Sequence, residues 1–66
     1  MYKRCTTVVE GGHGGPHEPI TGDVEFSDIF NIPRVHDGEL IRIRRGDRTT
    51  WVPIARVISI EEVPSV

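Results

Sequence analysis

In several runs of this chain apolar residues recur at every second position, and nowhere do they keep helical spacing over three turns. In residues 39–45, ELIRIRR, Ile41 and Ile43 alternate with Arg42 and Arg44, as in a strand with one face on a core and one in water. Residues 21–30, TGDVEFSDIF, place Val24 and Phe26 on one face and Glu25 and Ser27 on the other. Residues 2–10 are rich in β-formers and alternate imperfectly, which gives a first strand. Residues 57–63, VISIEEV, give a last one, with Ile58 and Ile60 expected on its buried face.

Turn chemistry separates these runs. Asp37-Gly38, inside HDGE at 36–39, is a strong hairpin signal because a type I′ turn needs positive φ at both central residues. RGDR at 45–48 makes a second turn, and TTWV at 49–52 is the return strand. Asn31 and Pro33 end the strand before the hairpin, since proline cannot donate to a ladder and biases the residue before it toward extended geometry. Pro53 stops the return strand, and residues 53–56 have room for one helical turn. The predicted order is strand, long loop, strand, hairpin pair, helical turn, strand: an all-β chain.

Five short strands with one helical turn before the last resemble the layout of small SH3-like barrels, at the level of fold and without a family motif. The resemblance implies a small five-stranded barrel or a strongly twisted antiparallel sheet, a fold that hosts many unrelated functions. Closure covers edge strands that a flat sheet of this size leaves open to pairing. The alternative is an open meander that dimerises through its edge.

At 66 residues the chain makes one small domain, 1–66, near the lower limit at which a hydrophobic core sustains folding alone. Its single cysteine, Cys5, excludes an internal disulfide and points to a reducing, cytoplasmic setting. No apolar run approaches a membrane span and no secretory leader is visible, so no membrane partner is expected. The formal charge is −2 and unevenly placed: residues 42–48 hold four arginines, whereas 18–39 and the C-terminal part are mainly acidic. A globally basic nucleic-acid binder is not supported by that balance.

Residues 11–19 form a flexible loop of glycine, proline and histidine. His13 and His17, with Glu10, Glu18 and Cys5 close in sequence, are residue types that zinc prefers. Spacing of four serves a metal best on a helix, and two glycines and Pro16 between the histidines make a helix improbable. No metal or other cofactor is therefore expected. The segment also lacks the lysine and hydroxyl of a phosphate loop. It is a connector first and a recognition loop through His13 and His17 second.

The richest stretch is the arginine hairpin. A two-residue turn at Gly46-Asp47 pairs Arg42 with Trp51 and sets the indole among guanidiniums, a surface able to stack a ring or grip an acidic peptide. A three-residue loop moves the register by one and puts Trp51 opposite Ile43, in the core. Burial carries more weight, because a core this small with four aromatic residues in the chain needs its largest side chain. In either register Arg42, Arg44, Arg45 and Arg48 surround one hairpin, with Glu25, Asp28, Glu39, Glu61 and Glu62 available to neutralise them. RGD at 45–47 also spells an integrin-recognition tripeptide, a three-residue match that chance explains.

His36, Asp37 and Glu39 can be drawn as an acid and base, but Asp37 is explained by its turn. Cys5 has no evident orienting group or oxyanion hole. The sequence therefore predicts no enzyme. It predicts a β-barrel interaction module that binds a protein partner or assembles with itself through Arg42, Arg44, Arg45, Arg48 and Trp51, in the manner of accessory subunits, phage-encoded ones among them. Nucleic-acid binding by the same five residues is the second reading.

Overall fold

The computed structural model describes residues 1–64 and is all-β, as the alternation predicts. The strands are β1 (Tyr2–Val9), β2 (Glu18–Glu25), the two-residue β3 (Val35–His36), β4 (Leu40–Arg45), β5 (Arg48–Pro53) and β6 (Val57–Glu62). All pairings are antiparallel. β1 lies between β2 and β6, and β4 is paired along its length with β5. The other edge of β4 is shared: Ile43 and Arg44 pair with β2, and Leu40 and Ile41 with β3. The five long strands curl into a half-barrel, with the expected helical turn (Ile54–Arg56) just before the last. No helix among the described residues is long and apolar enough to cross a membrane.

Two glycine turns set the hairpins. Asp37 and Gly38 have φ of 55° and 70°, and Glu39 N–H donates to His36 O at 3.1 Å, the turn that Asp-Gly foretells. At the second hairpin Gly46 has φ of 61°, a value that suits glycine at the first central position of a two-residue turn. That turn pairs Arg45 with Arg48, Arg42 with Trp51 and Ile41 with Val52.

The concave face holds Cys5, Val9, Val24, Phe26, Ile41, Ile43 and Val52, with Ile20, Val57 and Ile60 against them. Trp51 is not among them: it is 44% exposed on the opposite face, so the expectation of a buried indole is corrected. The physical reason is parity, since the two-residue turn gives Trp51 the face of Arg42 and leaves Val52 the core position beside Ile41. Ile58 is a second correction, at 46% exposure. Val9 pairs with Val57 and Val8 with Ser59, so β6 carries an extra residue at a bulge and Ile58 turns outward while Val57 and Ile60 turn in.

Two boundaries also move. β2 begins at Glu18, so Glu18 and Pro19 of the expected 11–19 loop belong to a strand, paired with Val9 and Val8. Pro19 is tolerated because β4 reaches only Asp23 and Val24, leaving that part of the second edge of β2 without a ladder. At its other end β2 stops at Glu25, five residues before the predicted limit. There Ser27 Oγ accepts the N–H groups of Ile29 and Phe30, both at 3.3 Å, a local turn that competes with strand pairing.

Candidate functional site

Strand alternation sends Tyr2 from β1, Asp23 and Glu25 from β2, His36 from β3, Arg42 and Arg44 from β4 and Trp51 from β5 to the convex face. Glu25 is the hub. His36 Nε2 donates to Glu25 Oε1 at 2.7 Å, while Arg42 Nη1 lies 3.7 Å from the same oxygen and Arg34 Nη1 3.9 Å from Oε2. Arg42 also donates to the Tyr2 hydroxyl at 3.3 Å. Its guanidinium carbon sits 4.8 Å from the Trp51 ring centre, and that of Arg44 sits 4.0 Å from the Tyr2 ring centre. Arg44 Nη2 is 3.8 Å from Asp23 Oδ2. The His36 ring meets the Trp51 ring edge-on, with centroids 5.3 Å apart.

Tyr2, Glu25, His36, Arg42, Arg44 and Trp51 are each held by two or more neighbours, which limits the rotamer freedom that a binding event would otherwise have to remove. The Glu25 side chain is only 13% exposed. The hydrogen bond from His36 holds its carboxyl below the usual value of 4.5, aided by the charges of Arg42, His36 and Arg34 and opposed by burial. A carboxylate with a depressed folded pKa stabilises the fold fully above its unfolded value and loses that contribution as pH falls through the folded value. Acid titration followed by circular dichroism is therefore expected to show stability declining below about pH 4.5, with a shallower decline in Glu25→Gln. Equal slopes in the two proteins would contradict the role of Glu25 as hub.

The residues singled out from the sequence divide three ways. Arg42, Arg44 and Trp51 come together on the convex face, and two of the four arginines are neutralised within the fold, by Glu25 and Asp23. Arg45 and Arg48 face each other at the hairpin tip, exposed, and neither is ion-paired among the described residues. Of the other carboxylates proposed as neutralisers, Asp28 pairs instead with the amino terminus at 3.0 Å.

His13 and His17 stand exposed at the far end of β1 and β2, where Gly12–Gly14 makes a 3-10 turn and His13 itself takes φ of 56°. Glu10, Gly11, Gly14, Gly15 and His17 border an open recess of about 250 Å³ there. Cys5 does not join them, being buried in the core, and burial pushes its thiol up, with the Glu62 carboxylate adding to the effect. Among the described residues no three His, Cys, Asp or Glu side chains gather as metal ligands.

Tyr2, Asp23 and His36 were not legible as partners of the arginines, because each arrives from a different strand. Ile29 and Phe30 fall inside the predicted 21–30 strand and Ile32 just beyond it, whereas all three belong to an exposed loop. The Ser27 hydroxyl ahead of them was the available signal.

Comparison with known proteins yields no matching family model, no matching curated protein and no matching solved structure.

Proposed function

We propose that the chain is a non-catalytic interaction module that binds another protein surface, its own copies included. The observation that supports this reading is the Trp51–Arg42–Tyr2–Arg44 ladder, in which the aromatic rings and guanidiniums are fixed in place and each of the two arginines already faces a carboxylate. Rigid aromatic and arginine side chains are the residue types that dominate the energetics of protein interfaces. A surface whose charge is largely internally balanced offers a partner stacking area and hydrogen-bonding groups more than free positive charge. Such a module fits an accessory subunit working in a reducing, cytoplasmic compartment.

One observation favours nucleic acid as the second reading. Arg45 and Arg48 lie directly opposite each other at the tip, a like-charge pairing that costs stability unless an anion relieves it. Binding of a fluorescently labelled single-stranded oligonucleotide, measured by anisotropy at low and high salt, separates the readings. The interaction-module reading expects no saturable binding at physiological salt. Saturable binding that weakens linearly in a plot of log affinity against log salt would overturn it, because that slope reports phosphate contacts.

A further inference from the structure

The loop over residues 27–34 places three large apolar side chains in water: Ile29 is 84% exposed, Phe30 64% and Ile32 57%. The amides of the same three residues are already satisfied. Ile29 and Phe30 N–H donate to Ser27 Oγ, and Ile32 N–H donates to Phe30 O at 2.7 Å. Two further bonds at 2.9 Å, from Ser27 N–H to Ile32 O and from Arg34 N–H to Glu25 O, close the base of the loop. Such a tip can pass from water into a medium without hydrogen-bonding partners at little cost, because the donors that would be stranded there are bonded within the chain.

Charge around the tip has one prevailing sign. Lys3 Nζ donates to the neutral side chain of Asn31 and keeps its full charge beside the loop. Arg34 is largely exposed and stands 3.9 Å from Glu25 Oε2, a carboxylate that His36 and Arg42 also face, so its charge is only partly matched there. The one acid of the loop, Asp28, is cancelled by the Met1 ammonium group at 3.0 Å. The rim therefore carries a surplus of positive charge on a chain whose formal charge is −2. Glu10 and Glu18 lie at the opposite end of β1 and β2, on the order of 20 Å away along the strands and beyond a Debye length of about 8 Å.

We propose that the 29–32 tip docks on the surface of an anionic bilayer, with Ile29, Phe30 and Ile32 entering the headgroup boundary and Lys3 and Arg34 facing the anionic headgroups. Area separates this partner from a protein one. The three side chains expose on the order of 400 Å², about half of what each side of a standard protein interface buries. A bilayer sets no such minimum, since interfacial binding grows with each apolar group that leaves water and each cation that nears an anionic headgroup. The sequence expects no membrane partner because it holds no span, and a contact that lies on the surface requires none. The proposal goes beyond the interaction-module reading and does not rest on it, because that reading stands on the Trp51 ladder, which shares no residue with the tip.

Co-sedimentation of the full chain with phosphatidylserine–phosphatidylcholine vesicles, and with vesicles of phosphatidylcholine alone, tests the proposal. The wild type is expected to prefer the anionic vesicles and to bind them less as salt is raised. On those vesicles Ile29→Ser with Phe30→Ser is expected to weaken binding roughly tenfold or more, and Lys3→Gln roughly fivefold. Circular dichroism checks that the variants keep their fold. Lys3→Gln leaves every apolar side chain in place, which keeps the test decisive if the double variant unfolds. No binding to anionic vesicles, equal binding to both kinds, or binding that neither variant weakens overturns the proposal. So does a chain that ignores vesicles and instead forms a dimer in sedimentation equilibrium that Phe30→Ser dissociates. Failure of the interaction-module reading shows separately, as saturable, salt-dependent oligonucleotide binding.

Discussion

Replacing Ile43 with alanine is expected to remove about 2–5 kcal/mol of unfolding free energy, the cost of lost apolar burial plus the cavity left behind. Ile43 has no exposed surface and sits at the middle of the sheet, opposite Val24 on β2 and Thr50 on β5. Neighbours held in two ladders cannot collapse into the space. A domain of this length has about 3–10 kcal/mol of stability in all, so Ile43→Ala is expected to lose a large share of it and to unfold at a much lower urea concentration. Ile58→Ala is the matched control. The alternating pattern treats Ile43 and Ile58 alike, but the bulge in β6 turns Ile58 into solvent and its truncation is expected to cost under about 0.5 kcal/mol. Urea denaturation followed by circular dichroism gives both values, and similar midpoints for the two variants would contradict the observed register of β6.

Gly22→Ala is expected to be nearly as damaging, for a reason of approach and not of burial. A Cβ at position 22 would stand 2.8 Å from the Ile43 Cγ2 and Arg45 Cγ atoms and 2.9 Å from the Arg44 carbonyl oxygen. The arginine stem can swing away, but the carbonyl belongs to the β4 backbone. Relief therefore requires β2 and β4 to part, and those strands are joined by only two residue pairs, Asp23 with Arg44 and Val24 with Ile43. The seam is where the β6–β1–β2 half of the sheet meets the β4–β5 half, and overpacking of this kind costs about 1–3 kcal/mol. Gly12→Ala, whose Cβ would meet nothing within 4 Å, is expected to be nearly neutral. A Gly22→Ala protein with the denaturation midpoint of Gly12→Ala would show that the strands do not approach so closely.

Both substitutions act on the core side of the sheet and leave the exposed side chains unaltered. Ile43 and Gly22 lie on the concave side, whereas the Trp51 ladder and the 29–32 tip are exposed.

Much of this architecture follows from local rules that a sequence displays. The all-β class, the Asp37-Gly38 and Gly46-Asp47 turns and the helical turn after Pro53 depend on alternation, on positive φ and on the missing proline N–H, all properties of a few neighbouring residues. The pairing of Arg42 with Trp51 followed from counting back from a two-residue turn. Which face that pair would occupy relative to the core was decided by the rest of the chain: Phe26, Val52 and the aliphatic residues of β2 and β4 fill the concave side, and no position there has the parity of residue 51.

Tertiary structure alone decided the rest. A bulge that flips Ile58 and a carboxylate at Glu25 that collects His36, Arg34 and Arg42 each depend on how strands distant in sequence come to lie together. The physical reason is range. Periodicity and turn chemistry act over two to four residues and fix what each segment is, whereas register and side-chain partnership are set by contacts across β1, β2, β3, β4 and β5 that no local pattern encodes.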